Sequence, residues 1–244
     1  MLSELLRDTP VASVDQAIAC MRAIDDRLPP EDGLKWFNRL YLHVTVALGA
    51  ALGTTAFRDP QFIAALDVAF ANLYFQALDG ADQGPSRAPA AWRPVLGARG
   101  DRRIRRLQFA LAGMNAHINR DLPVGIVEAF RVVGGDPLSD ESRREDFTRV
   151  DDHLAQIEAA AKRDLSLGLV ELIDEAAGDT DDQLAMWNVK AARAAAWTNA
   201  QVLWTLEATP RLRARFFDRL DSLTGFAGRG LLTPTRVLPR PSLG

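Results

Sequence analysis

Residues 102–123 read RRIRRLQFALAGMNAHINRDLP, and this stretch decides the fold. Its apolar residues recur at spacings of three and four, the pattern of one face of a helix. The opposite side is apolar as well, through Phe109, Ala112 and Ala116, so we expect a helix buried on several faces. The Leu122-Pro123 pair predicts the end of that helix or a kink in it. The apolar stripe consists of Ile104, Leu107, Leu111, Met114, Ile118 and Leu122.

Helical periodicity extends over most of the remaining chain. Ser13 followed by Gln16 has the pattern of a capping box, and Pro60 suits the first turn of a helix. A stretch rich in Gly and Pro at 80–89 predicts a loop. No stretch alternates in the manner of a strand. The predicted helices lie at 13–28, 32–52, from Pro60 onward, 102–121, 165–177, 183–208 and from Pro210 onward, with a further apolar stripe at 147–161.

These patterns predict an all-α fold. We expect a single globular multi-helix domain over residues 1–232, with the helix at 102–121 buried at its centre. The tail at 233–244 contains three prolines, and a terminal segment of this composition is expected to be extended or disordered.

Composition excludes several classes of protein. The 244 residues include 29 Lys and Arg against 32 Asp and Glu, a net charge of −3, without the basic excess typical of a nucleic-acid-binding protein. The single cysteine, Cys20, cannot form an intramolecular disulfide. The N-terminal residues lack an apolar leader, and we expect no membrane-spanning segment. We therefore expect a soluble cytoplasmic protein with no nucleic-acid or membrane partner; a homo-oligomer stays open.

Of the three histidines in the chain, His117 is the candidate for a functional residue. On a helical wheel His117 and Asp121 share one shoulder of the buried stripe, at a spacing of four, while Asn115 and Asn119 share the other. Buried polar groups cost about 1–3 kcal/mol each unless they are paired. Such a cluster is therefore typical of a functional site or of a packed hydrogen-bond network. The other histidines are His43 and His153, and for His153 we expect a surface or interhelix position.

Three interpretations of this cluster stay open. Asp121 could orient His117 as a general acid or base. Both residues could instead ligate a divalent metal, or the cluster could be purely structural.

Four further residues are candidates for substrate binding together with Asn115 and Asn119. Arg39 and His43 lie one turn apart on the helix at 32–52, and Asp67 and Tyr74 lie on the helix after Pro60. Because an unpaired buried Asp67 would be costly, we expect Arg39 or a metal as its partner.

Three runs carry a resemblance to a known family: DGLKWFNRLYLHVT at 32–45, DPQFIAALDVAFANLYFQAL at 59–78 and GMNAHINRDLP at 113–123. Together they resemble an actinobacterial family catalogued as domain of unknown function 5995, which implies one all-α domain from about residue 30 to about residue 210. AHINRDLP is also similar to the helical His-x-x-x-Asp metal motif of the zinc-dependent phospholipase C and P1-nuclease group. With three histidines, the chain lacks the ligands of that group's trinuclear zinc site.

The sequence contains no P-loop, no dinucleotide fingerprint and no Ser-containing nucleophile elbow, so we expect no nucleotide cofactor. The first hypothesis is an enzyme that acts on a small organic molecule. The resemblance to the family, and not the residues, implies bacterial specialised metabolism, with cyclisation, isomerisation or hydrolysis as the reaction. In this enzyme, His117 and Asp121 form an acid/base pair in an interhelical pocket. The alternatives are a metal-dependent hydrolase with His117 and Asp121 as ligands, a non-enzymatic binding protein for an apolar ligand, or a purely structural or partner-binding helical protein.

Overall fold

Helices make up nearly all of the regular structure in the computed structural model, which describes residues 2–6, 9–151 and 189–234. No strand occurs in these ranges, and the all-α prediction is confirmed as a single multi-helix domain. The predicted helix at 165–177 and most of the predicted tail lie outside them. The helices are α1 (Val14–Arg27), α2 (Gly33–Leu52), α3 (Pro60–Gln83), α4 (Arg93–Ala98), α5 (Arg106–Ala116), α6 (Leu122–Val133), α7 (141–151), α8 (Val189–Thr205) and α9 (Pro210–Leu231).

The predicted N-terminal caps form, with one difference of detail. The Ser13 hydroxyl accepts the Gln16 N–H at 3.2 Å, but the Gln16 side chain accepts the N–H of Ala12 rather than that of Ser13. Pro60 occupies the first turn of α3, as expected. Helix α3 continues to Gln83, into the predicted loop, and its last turn carries a side-chain hydrogen bond from Gln83 to Asp79, a pair at a spacing that supports a helix.

Of the end or kink predicted at Leu122-Pro123, the end does not occur. Helix α5 passes into a π-turn at His117–Asp121, and α6 begins directly at Leu122 with Pro123 in its first turn. Proline has no N–H to donate to the carbonyl four residues earlier, so the wider π-turn accommodates Pro123 without ending the helical path.

Helix α5 is the buried centre of the fold, as predicted. Almost all of its residues are buried, and it packs between α2 and α9. Helix α3 packs along α6, and α6 packs along α8. These contacts form two hydrophobic clusters, one around α1, α2 and α5 and one around α6 and α8. The π-turn lies where the two clusters meet, because Ala116 belongs to the first and Ile118 to the second.

Candidate functional site

The π-turn joins His117 and Asp121 directly. His117 Nδ1 lies 3.0 Å from Asp121 Oδ2, and the two side chains are 2% and 0% exposed. The turn is closed by the Leu122 N–H, which donates to the His117 carbonyl five residues earlier. Single π-turns inside helices occur frequently at functional sites.

Two further donors hold the Asp121 carboxylate. Trp92 Nε1–H donates to Oδ2 at 2.8 Å, and Arg120 Nη1 donates to Oδ1 at 2.5 Å. Burial alone would raise the pKa of Asp121, but the hydrogen bond from His117 and the charge of Arg120 outweigh burial and lower it. Asp121 is therefore an ionised acceptor at neutral pH.

Helix α9 fixes both of these donors. The Asp221 carboxylate accepts the backbone N–H groups of Ala90 and Ala91, next to Trp92, at 2.8 and 2.9 Å. The same carboxylate lies 3.5 Å from Arg120 Nε. One side chain of α9 thus positions the segment that carries Trp92 and the guanidinium that neutralises Asp121.

The state of the His117 ring follows from its partner. An ionised carboxylate only accepts hydrogen bonds, so Nδ1 carries the proton and Nε2 has a free lone pair. Nε2 is buried and has no hydrogen-bond partner. Burial lowers the pKa of His117 and the neighbouring Arg120 lowers it further, against the opposing effect of Asp121. The geometry therefore describes a neutral imidazole whose Nε2 is an unused base.

Aromatic rings surround this imidazole. The Phe70 ring stacks on it with centroids 3.4 Å apart and planes 6° from parallel, and the Tyr41 ring meets it edge-on at 4.6 Å. Phe70 is only half-buried, so its ring separates His117 from solvent. The remaining rings are Phe37, Trp92 and Tyr74, with centroids at 5.6, 5.9 and 6.0 Å. Phe37 also fills the space beside Gly113, one turn before His117, since a Cβ at Gly113 would lie 2.4 Å from the Phe37 ring.

The expected pairing of Asp67 with Arg39 is wrong. Arg39 Nε donates to Asp25 Oδ1 on α1 at 2.9 Å. Asp67 is buried, its Oδ2 has no hydrogen-bond partner, and burial raises its pKa to about 7. The carboxyl of Asp67 is therefore, like the imidazole of His117, a buried titratable group with an unsatisfied polar atom.

The structure brings together only some of the predicted site residues. Tyr74 lies in the ring cluster, and its hydroxyl donates to Asn38 at 3.2 Å. Asn115 and Asn119 point instead towards α9: the Asn115 amide donates to the Thr224 carbonyl, and the Asn119 amide donates to Asn115. Half-buried His43 lies on α2, and His153 is outside the described residues.

Three neighbours of the His–Asp pair were not predicted. Arg120 adjoins Asp121 in the sequence, so its contact could have been anticipated from the Arg-Asp dipeptide. Phe70 belongs to an apolar stripe that gave no sign of stacking on an imidazole. Trp92 precedes the short helix α4, and no pattern connects it with residue 121.

The donors around Asp121 bear on the metal interpretation. Both of its oxygens already accept hydrogen bonds, one of them from a guanidinium. Within the described residues no group of three or more His, Cys, Asp or Glu side chains is placed to hold a metal ion. The geometry of the pair thus fits an acid/base role better than ligation.

Comparison with known families supports the resemblance seen in the sequence. The model of a family of unknown function, DUF5995, matches residues 14–234, and the chain belongs to this family. No curated protein and no solved structure matches the chain.

Among the described helices, α3 alone has the length and hydropathy to cross a membrane. Its mean hydropathy reaches 1.2 over the most apolar window, half of which is buried inside the protein. Since core helices of soluble proteins meet the same criteria, this is weak evidence for a membrane span.

Proposed function

We propose that this protein is an enzyme that acts on a small organic molecule in the cytoplasm, with His117 as its general base. One observation carries the proposal: His117 Nε2 is buried and unpartnered, while Nδ1 is held by a carboxylate. A buried nitrogen lone pair left without a donor costs free energy. A substrate proton supplied at Nε2 would remove that cost.

The roles of the neighbouring groups follow from their chemistry. When Nε2 takes a proton, Asp121 stabilises the imidazolium and keeps the ring in its orientation. Arg120 and Trp92 keep Asp121 ionised and fixed in place. The surrounding aromatic rings exclude water, which strengthens electrostatic interactions within the site. Proton transfer of this kind suits an isomerisation or a cyclisation, and it suits hydrolysis where the base activates a water molecule.

The aromatic enclosure favours a second candidate, a protein that binds an apolar ligand without turnover. Five rings around one imidazole offer a large apolar contact surface. A metal-dependent hydrolase is less well supported because the Asp121 oxygens are occupied by N–H donors.

The test is to incubate the protein with fractionated bacterial small-molecule extracts and to follow each component by chromatography and mass spectrometry. Isomerisation changes retention without changing mass, whereas hydrolysis adds the mass of water. We expect a component that wild type converts and His117→Gln does not, with Val132→Ala, an exposed change on α6, as the matched control. Retention of a component without conversion would favour the binding protein, and equal conversion by His117→Gln would contradict the proposal.

A further inference from the structure

Four buried polar atoms next to the aromatic enclosure lack hydrogen-bond partners. They are Tyr41 Oη and Thr45 Oγ1 on α2, Asp67 Oδ2 on α3 and His117 Nε2 in the π-turn. A typical domain leaves few buried polar atoms unsatisfied, and each requires an explanation. Four on neighbouring elements indicate a group that the protein is built to receive.

Tyr41 connects the members of this polar cluster. Its ring lies 4.6 Å from the imidazole of His117, and Thr45 follows it by one helical turn. Burial raises the pKa of Tyr41 well above its ordinary value, and the charge of nearby Asp67 raises it further. The Thr45 hydroxyl lies close enough to Tyr41 to lower this pKa, although the hydroxyls of Tyr41 and Thr45 lack the geometry of a hydrogen bond. The other three groups are therefore neighbours of Tyr41.

Ionisation of Asp67 would place a negative charge without a counter-ion in this region. Asp121 is neutralised by Arg120. Asp67 forms no ion pair within the part of the chain that the structure describes, and its ionised form would be a lone buried charge. Buried carboxylates are stable when they are paired and hydrogen-bonded. A ligand that stabilises the ionised form of Asp67 must therefore carry a positive charge.

The same group must donate several hydrogen bonds. Asp67 Oδ2 in its ionised form and His117 Nε2 in the neutral ring can only accept hydrogen bonds. The hydroxyls of Tyr41 and Thr45 can accept hydrogen bonds as well. A protonated amine has three N–H donors and one positive charge. The neighbouring Tyr41 and Phe70 rings add the aromatic surface on which cations are bound.

We propose that this polar cluster binds the protonated amino group of a small organic ligand, with Asp67 as its counter-ion. As an assignment of substrate class it rests on the proposed function, because it makes the substrate an amine. As a binding site it stands on the geometry alone. The basic nitrogen of the ligand would lie beside His117 Nε2, which places the base next to the part of the molecule that the protein recognises.

The experiment compares thermal unfolding at pH 8 in methylammonium chloride, potassium chloride and sodium chloride at equal ionic strength. Methylamine is protonated at this pH, as a lysine side chain is, and Asp67 is mostly ionised. We expect methylammonium to raise the Tm of wild type in a saturable manner, beyond either inorganic salt. The extra rise should vanish in Asp67→Asn, persist in Asp26→Asn, a matched change at an exposed acid of α1, and weaken in Thr45→Val.

An equal response to potassium, or an undiminished one in Asp67→Asn, would overturn the proposal and leave ordered water as the occupant. The result is separable from the proposed catalysis through His117→Gln, which keeps Asp67. Amine-dependent stabilisation that survives in His117→Gln, in a protein without any turnover, would support the amine site and contradict the enzyme. Turnover of a substrate that lacks an amine would do the reverse.

Discussion

The Phe70 ring lies face to face with the His117 imidazole, 3.4 Å between centroids and 6° from parallel. Phe70 belongs to α3 and His117 to the π-turn, so the stack joins the two hydrophobic clusters at one point. Because Phe70 is partly exposed and His117 is 2% exposed, we expect a ligand to reach Nε2 past this ring.

Removing the Phe70 ring should therefore expose the base. We expect Phe70→Ala to increase the rate at which diethyl pyrocarbonate modifies His117, since the reagent attacks an unprotonated imidazole nitrogen. The change should cost about 1–3 kcal/mol of stability, less than a fully buried phenylalanine. Peptide mass spectrometry gives the modification rate, with half-buried His43 as the internal reference. Equal rates at His117 in both proteins would mean that access does not pass Phe70.

Single substitutions of His117 and of Asp121 should distinguish an effect on catalysis from an effect on stability. His117→Gln should reduce turnover of the identified substrate by about 10²–10⁴-fold while the protein remains folded. Asp121→Asn should reduce turnover more weakly through loss of the charge that favours imidazolium. It should also destabilise the protein by about 3–5 kcal/mol, because Arg120 is left without its buried partner. Turnover and chemical unfolding measured on the same preparations check both effects; a fully active, folded His117→Gln would end the catalytic assignment.

Asp67 should make the protein less stable as pH rises, the opposite of the usual effect of a buried acid that is paired. Its folded pKa of about 7 lies above the unfolded value near 3.8, so the folded state retains the proton in this window. The contribution of Asp67 is therefore full below about pH 4 and is lost as pH rises to about 7, a change of about 4 kcal/mol. Asp67→Asn does not titrate and should exceed wild type in stability by an increasing margin over that range.

The comparison of these two proteins by urea unfolding at several pH values isolates Asp67. His117 has the opposite dependence, because its lowered folded pKa means that stability is lost as pH falls below about 6.5. That contribution is common to wild type and Asp67→Asn and cancels in the difference. A difference that stays constant between pH 4 and pH 8 would contradict the unpaired state of Asp67.

Gly113 should be intolerant of even one additional carbon atom. A Cβ at this position would lie 2.4 Å from the ring of Phe37, which itself contacts the imidazole edge-on. Overpacking of this kind costs about 1–3 kcal/mol, so Gly113→Ala should lower the free energy of unfolding by that amount. Gly97→Ala is the control, since a Cβ there meets no atom within 4 Å. A variant as stable as wild type would show that Phe37 can move away from α5.

Local signals predicted the helices well and the site only in part. Ser13 and Pro60 affect only the helical turn that follows them, and the buried stripe of α5 follows from the periodicity of a single helix. The contact between His117 and Asp121 was likewise predictable from a spacing of four. The partners of that pair were not, because Trp92 and Phe70 reach it through tertiary packing.

The pairing of Arg39 shows the same distinction. Arg39 and Asp67 have opposite charges, yet the partner of Arg39 is Asp25 on α1. The periodicity of a sequence does not show which of two neighbouring helices a given side chain faces. The π-turn was missed for another reason. A proline after a helical stripe predicts an interruption, but the same proline is compatible with a widened turn and a continuing helix.

The contacts of Asp221 make the geometry of the His117–Asp121 pair depend on α9. This residue of α9 is the only described acid that contacts both Arg120 and the backbone beside Trp92. A nascent chain that has folded α1 to α6 on the ribosome would therefore contain His117 and Asp121 before the groups that hold Asp121 are fixed. The base would reach its final geometry only when α9 has packed against α5 and Asp221 has reached its partners.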